Sequence, residues 1–343
     1  MKTILALLVL AQVATAAEPT TKPIEIRRGV EFSHATTNPA ERQKLAYERI
    51  VKKIEPSGVG DPARLDVYLE FFKREFVEDP RMFAIDIKAE RQTDGTIALH
   101  GYVEYDEHRA AVESFLKQLG FAKIVNGISL LPDAPETGFG IVKSATFVVD
   151  RTTTPRENMT QCLPGDRIYI LRTTMDDCYL IHAADGYVGY VLAKDVERVE
   201  AAKFHEANSG TNDAIEKSIA SAMELMGTKY VWGGKTKDGV DCSGLIQSSF
   251  KKHGVNLPRD ADQQAYVGRL VATRWDRDGL HRGDLLYFLS RRGSIHHTAI
   301  YLGDGKFLEA ADPGVKITSF NKADPAYDAK RDASFCFAKR VLE

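Results

Sequence analysis

Cysteine is scarce: Cys162, Cys178, Cys242 and Cys336 are the only four in 343 residues, and they stand at no metal-ligand spacing. They are too few for a disulfide scaffold in a chain of this size, and they imply no bound metal. Net charge is nearly absent too. A formal charge of −2 leaves no electrostatic footprint for nucleic acid, and basic pairs such as Arg291-Arg292 are short enough to be solvated loop. Long apolar runs are also missing. The one from Ile4 to Ala11 falls well short of the roughly 20 residues that cross a hydrocarbon core, and no second candidate follows. These absences exclude a metal-scaffolded, nucleic-acid-binding or membrane-spanning protein. What remains has ordinary apolar (43%) and charged (27%) fractions and length enough for two or three globular domains.

The chain opens with Lys2, the short apolar run, and small residues ending in Ala14-Thr15-Ala16, which is the layout of a secretory signal peptide. Residues 1–16 are therefore set apart from the fold, and the protein is expected to be periplasmic or secreted. No cysteine follows the run, which speaks against a lipid-modified N-terminus. Residues 17–137 read as an α+β domain. Helical patterns at Pro39–Ile54 and Pro62–Val77 each begin on a proline. Alternating Ile85, Ile87, Ala89 and Ile97, Leu99, Gly101, Val103 flank the hairpin signal Asp94-Gly95. A helix carrying Ala111, Val112, Phe115, Leu116 and Leu119 and a strand at Lys123–Leu130 complete the unit.

Pro132–Gly138 is a linker by composition, and residues 138–200 hold short alternating runs broken by Pro164-Gly165-Asp166 and Asp185-Gly186. Several strands in about sixty residues suggest a small barrel. In a simple meander Cys162 and Cys178 would lie two strand spacings apart, roughly 9 to 10 Å. A disulfide tolerates roughly 7 Å between Cα atoms, so the pair is expected to stay unbridged. Residues 201–211 form a second linker. The C-terminal domain, 212–343, opens with a helix whose inner face is Ile215, Ile219, Ala222, Met223 and Met226, stopped by Gly227. Cys336 falls in a buried last strand.

Cys242 draws attention within Gly239–Phe250, "GVDCSGLIQSSF". Leu245, Ile246, Ser249 and Phe250 recur from it at helical intervals, and Asp241 stands as N-cap. A buried cysteine is usually inert packing, so the helix alone does not make a nucleophile. Bringing a thiol from about 8.5 to about 5.5 takes about 4 kcal/mol, whereas a helix N-terminus supplies about 0.3 to 1, occasionally about 2. A neighbouring imidazolium has to contribute the larger part. The stretch "SIHHTAIYLGDGKFLEAADPGV" reads as a hairpin turning at Gly303-Asp304-Gly305. A three-residue loop centred on Asp304 sets His297 opposite Ala311, with Glu309 as its diagonal neighbour. His296 would point to the other face, toward Asp312. Spacing alone leaves both histidines open.

The successive stretches "GTKYVWGGKTKDGVDCSGLIQSSFKKHGVNLPRDADQQ", "LHRGDLLYFL" and "HTAIYLGDGKFLEA" resemble the motifs of the NlpC family, papain-like bacterial cell-wall peptidases, from Gly227 to about Val341. The resemblance implies an α+β fold: a papain-like catalytic domain, with helices packed on an antiparallel sheet. It implies Cys242 as nucleophile in the family's Asp-Cys-Ser-Gly motif, His297 as base because it heads the strand matching "HTAIYLG", and Glu309 at the third polar position. Relatives more often carry a second histidine there. A glutamate would hold the imidazole through its other nitrogen and favour the charged ring. By the same resemblance Tyr230 donates to the developing oxyanion beside the N–H of Cys242, and Trp232, Asp241, Ser243 and Arg259 line the substrate cleft. Ala261 stands where relatives often have a hydroxyl. Earlier in the chain, "DGYVGYV" and "LAKDVERV" resemble a bacterial SH3-like domain, and the 17–137 pattern resembles the BON domain, which implies envelope or lipid contact.

Together these resemblances imply a cysteine endopeptidase that needs no cofactor and hydrolyses peptidoglycan stem peptides at the γ-D-glutamyl–diamino acid bond. SH3-bearing relatives narrow the cleft to read a free N-terminal L-alanine, with an acid such as Asp241 meeting its amine, so released stem peptides are the expected substrate. Two rivals stand beside this reading: a thiol acyltransferase on the same scaffold, and a non-catalytic envelope-binding protein.

Overall fold

The structure is a computed structural model that describes residues 39–77, 79–132, 138–205 and 213–342. The expected signal peptide and most of both linkers lie outside the described residues. Two compact units are Met1–Ala46 and Tyr47–Glu343, and helix Pro39–Ile54 begins in the first. Every strand and all later helices belong to the second.

Strands Ile85–Arg91 and Ile97–Val103 pair antiparallel from Ile85↔Val103 to Arg91↔Ile97, with Gly95 at φ 83° in the turn, a conformation that favours glycine. Helix Asp106–Gln118 buries Ala111, Val112, Phe115 and Leu116 along one stripe. The expected helix from Pro62 divides into a 3₁₀ turn, Pro62–Arg64, capped by Asp61, and an α-helix, Leu65–Phe76. The expected strand Lys123–Leu130 also divides, into Ile124–Asn126 and Ser129–Leu130, both parallel to Ile97–Val103. Both keep one register on it, Leu99 pairing with Asn126 and Tyr102 with Ser129, and the break between them falls opposite Gly101, whose φ of 107° departs from extended backbone.

Seven strands between Gly138 and Val199 form one antiparallel sheet with its own core, which includes Val142, Val148, Ile168, Ile170, Ile181 and Val191. Cys162 pairs with Thr146 and Cys178 with Leu192, so three strand steps separate their strands rather than the two of a meander. Both are free thiols, as are Cys242 and Cys336.

The C-terminal sheet is antiparallel and six-stranded. Its spatial order is Arg269–Thr273, Phe335–Arg340, Leu285–Leu289, Ile295–Gly303, Lys306–Ala311 and Gly314–Ser319. The last strand in sequence is thus internal, which buries Cys336 completely. Helices Asp213–Met223 and Cys242–Lys251 pack on each other, and the second also packs on the strand that carries His297. Ile215, Ile219 and Ala222 are buried as expected, but Met223 and Met226 are exposed because the helix ends at Met223. Among the described residues no helix is long and apolar enough to cross a membrane.

The segment before residue 132 meets the C-terminal sheet through buried and partly buried polar groups. Tyr105 donates to the Cys336 carbonyl at 3.1 Å, and Arg274 grips both oxygens of Glu107 at 2.8 and 2.9 Å. His108, fully buried, donates from Nε2 to the Gly293 carbonyl at 2.8 Å. Gly293 lies in the turn that leads into the His296–His297 strand, so the N-terminal segment braces the approach to the candidate site. A Cβ at Gly293 would fall 2.2 Å from His108 Cδ2, and the residue sits at φ +86°. Gly293→Ala is expected to lower the urea midpoint, by on the order of 1–3 kcal/mol in stability. An unchanged midpoint would mean that the seam is open at this point.

Candidate active site

The helix that starts at Cys242 is built from its cap. Asp241, extended at φ −101° and ψ 177°, accepts the Gly244 N–H at 2.7 Å through Oδ1. Its Oδ2 takes the Gly233 N–H at 2.7 Å and Arg259 Nη2 at 2.5 Å. One carboxylate therefore ties the helix to the preceding Gly233-Gly234 loop. That closeness requires glycine: a Cβ on Gly244 would lie 2.2 Å from the Gly234 carbonyl oxygen. Leu245, Ile246, Ser249 and Phe250 are all buried, the face expected from their spacing. Cys242 is buried to 6% exposure at the floor of a cleft.

His297 reaches the site by a register shift. Phe288 pairs with His297, but Leu289 pairs with Ile295, so His296 is the extra residue of a β-bulge. The bulge separates the two histidines. His297 turns into the protein, 5% exposed, while His296 lines the cleft and donates Nδ1–H to the Phe288 carbonyl at 3.1 Å. Burial, the neighbouring His297 and the Arg331 charge bring the His296 ring down to about 4, so it is neutral at physiological pH. The hairpin pairs Ile300 with Leu308 and Tyr301 with Phe307, the register expected from a turn centred on Asp304. His297 Nε2 and Glu309 Oε2 are 2.6 Å apart. A carboxylate can only accept, so Nε2 carries the hydrogen and Nδ1 is left with the lone pair.

Glu309 is 1% exposed and has more partners than the sequence suggested. Thr318 donates to Oε1 at 2.6 Å, Arg331 Nε donates to Oε2 at 2.7 Å, and Lys316 Nζ stands 3.8 Å from Oε1. Arg331 sits in the first turn of helix Ala329–Ser334, whose N-cap Asp328 accepts the N–H groups of Lys330 and Arg331. Lys316 was legible from strand register, since it pairs directly with Glu309. Nothing in the local pattern aims Arg331 at a carboxylate 22 residues away.

Burial by itself raises the pKa of Glu309. The hydrogen bond and charge of His297, the Arg331 charge and the Thr318 hydroxyl overcome it and bring the carboxyl down to about 2. For His297 burial dominates and lowers the imidazole. Glu309 works to raise it, and Arg331 and Lys316 add to the lowering. The glutamate thus favours the charged ring as expected, but burial, with Arg331 and Lys316 adding to it, outweighs it and the net direction is down. Burial likewise pushes the Cys242 thiol up; the Thr298 N–H lowers it and the Asp241 charge raises it. Tyr230, whose chain runs beside Val240, is pushed up to about 12 by burial and by the Cys242 and Asp241 charges.

A cleft of about 590 Å³ opens over the thiol. Trp232, Asp241, Cys242, Ser243 and Arg259 all line it, together with Asp260, Ala261, Asp262 and His296. Arg259 Nη1 donates to Ser243 Oγ at 2.8 Å, completing a fixed Asp241–Arg259–Ser243 wall. The expectation that an SH3-like segment narrows the cleft is not met: among the described residues every lining side chain comes from 232–296. Asp241 already accepts from Gly244, Gly233 and Arg259, so an amine read by it would share the carboxylate with the guanidinium. Gln264, absent from the sequence expectations, supports the same wall by donating to the Ser243 carbonyl at 3.1 Å.

A thiol at a helix N-terminus, a cleft above it, and a carboxylate-held imidazole on the strand against which that helix packs make up the candidate site. Residues 227–331 match the NlpC/P60 family, and the chain carries an NlpC/P60 domain. It is 36% identical over 153 residues to the gamma-D-glutamyl-L-lysine dipeptidyl-peptidase of Bacillus subtilis, covering 43% of this chain and 49% of that protein. It is 40% identical over 133 residues to the Escherichia coli murein DD-endopeptidase MepS/murein LD-carboxypeptidase, covering 38% and 64%. A solved P60 domain from an M. avium subspecies paratuberculosis antigen is 30% identical, with 38% of this chain and 96% of that chain covered and a TM-score of 0.30. The chain spans less than two thirds of the length of both curated relatives.

Two outcomes are expected from this geometry. Iodoacetamide should label Cys242 before the other three thiols, as read by peptide mass mapping. Cys336 is fully buried, and burial pushes Cys162 up to about 12. Prior labelling of Cys162, Cys178 or Cys336 would contradict the assignment. Because the carboxyl of Glu309 is depressed in the fold, its stabilising effect is complete above about 4.3, its ordinary value, and vanishes as pH falls through about 2. Glu309→Gln should therefore lower the melting temperature at pH 7, with the gap to wild type closing in strong acid.

Proposed function

We propose that the protein is a cysteine endopeptidase that hydrolyses peptidoglycan stem peptides at the γ-D-glutamyl–diamino acid bond. One observation carries the reading: the imidazole of His297 is fixed through Nε2 by a buried carboxylate, leaving Nδ1 as the nitrogen that can exchange a proton with Cys242. In this mechanism the thiol proton passes to Nδ1 as sulfur attacks the carbonyl carbon. The oxyanion takes the N–H of Cys242 and the hydroxyl of Tyr230. Collapse breaks the amide and the leaving amine takes the proton from the imidazolium. Water, deprotonated by Nδ1, then releases the thioester. The printed names of the relatives support the bond class and the murein substrate.

The occupied Asp241 and the cleft wall drawn from 232–296 favour a substrate whose L-alanine need not be free. Intact murein is therefore within reach as well as released peptides. Trp232, 84% exposed at the cleft, offers an apolar face to the stem peptide.

The test is mass spectrometry of purified sacculi and of defined muropeptides after incubation with wild type and Cys242→Ala. Cleavage between D-glutamate and the diamino acid in both substrates is expected, with loss of at least about 10³-fold in the variant. Cleavage of free L-Ala-γ-D-Glu-diaminopimelate but not of sacculi would restore the free-amine requirement. Transfer products in the presence of an added amine would favour the acyltransferase, and an active Cys242→Ala would sink the thiol mechanism.

A further inference from the structure

His297 and Arg331 converge on one atom of Glu309. Oε2 takes His297 Nε2 at 2.6 Å and Arg331 Nε at 2.7 Å, while Oε1 is shared between Thr318 at 2.6 Å and the more distant Lys316. A histidine at this position would place neither a negative charge nor a need for a counter-ion there. A bare buried glutamate would pull the ring strongly toward imidazolium. Here a guanidinium shares the same oxygen. The Arg331 backbone N–H is fixed by the Asp328 cap, and its guanidinium lies 5.6 Å above the Phe288 ring, which in turn contacts His297 at 5.5 Å between centroids. The charged and titratable groups around the imidazole are Glu309 and Lys316 on the next two strands, Arg331 on the short helix and His296 on its own strand, and the helix that begins at Cys242 packs against that strand.

We propose that Arg331 is a positioning residue that divides Glu309 between itself and His297, so that the imidazole is oriented by a carboxylate without being locked in its charged form. Glu309 then fixes the ring and its tautomer, and Arg331 limits how much of the carboxylate's charge the ring feels. His297 stays available as the acceptor of the thiol proton instead of holding a proton of its own. The inference rests on the thiol–imidazole reading of the site, but not on the identity of the substrate.

The experiment is the pH dependence of Cys242 alkylation by iodoacetamide, followed by mass mapping, in wild type, Arg331→Met, Arg331→Lys and Glu309→Gln. Removing Arg331 gives the ring the full carboxylate, so thiolate reactivity should appear at lower pH, by about one unit. Glu309→Gln should move it the opposite way, and Arg331→Lys should stay near wild type because it keeps the charge. Alkylation needs no substrate, so a shifted profile with no muropeptide cleavage would overturn the proposed function and leave this inference standing. An Arg331→Met profile that overlays wild type, or that moves in the same direction as Glu309→Gln, overturns it and reduces Arg331 to packing on Phe288. Should Arg331→Met fail to fold, Arg331→Gln, which preserves length and a donor, is read by the same criterion.

Discussion

A carboxylate with almost no exposure to water anchors the chemistry of this protein. Ionised Glu309 is tolerable only because Thr318, Arg331 and His297 together satisfy its oxygens, and it holds the imidazole in place only because it is ionised. The constraint reaches outward. It requires the strand Gly314–Ser319 to bring Thr318 and Lys316 alongside, and helix Ala329–Ser334 to deliver Arg331 from the far side. The chemistry of the thiol therefore depends on groups distributed over three elements that do not touch the nucleophile's own helix in sequence.

The nucleophile's surroundings obey a different logic, in which one side chain serves several backbone groups. Asp241 caps the helix, closes the Gly233-Gly234 loop and pins Arg259. An incoming amine would have to share this carboxylate with Arg259, and the place of Asp241 beside the Cys242 thiol is explained by structure before recognition. The glycines around it serve the same end, since a Cβ on Gly234 or Gly244 would collide with a backbone carbonyl. The segments before residue 200 contribute elsewhere. Their polar contacts, such as His108 with Gly293 and Glu107 with Arg274, brace the sheet and the turn ahead of His297, outside the cleft lining.

Much of this was legible from spacing. Helical intervals placed the buried face behind Cys242, and the Gly303-Asp304-Gly305 turn set a hairpin register that makes Glu309 the diagonal neighbour of His297. Spacing left His296 and His297 as equals, because alternation cannot reveal the bulge that makes His296 the extra residue. Likewise the division of the helix after Pro62, at the Asp61 cap, and of the strand after Lys123, opposite Gly101, depended on local backbone conformation that periodicity does not carry.

By itself the sequence determined which residues could do chemistry and the order in which they arrive: an aspartate-capped thiol, a strand headed by histidine, and an acid on the return strand of the hairpin. Those features are local, set by caps, periods and turns a few residues long. Tertiary structure alone decided how strongly the acid acts on the ring and which segments stand at the cleft. Arg331 meets Glu309, and the earlier segments stay out of the lining, only once separate elements pack. Charges act through space and not along the chain, so their balance emerges only when the fold brings them together.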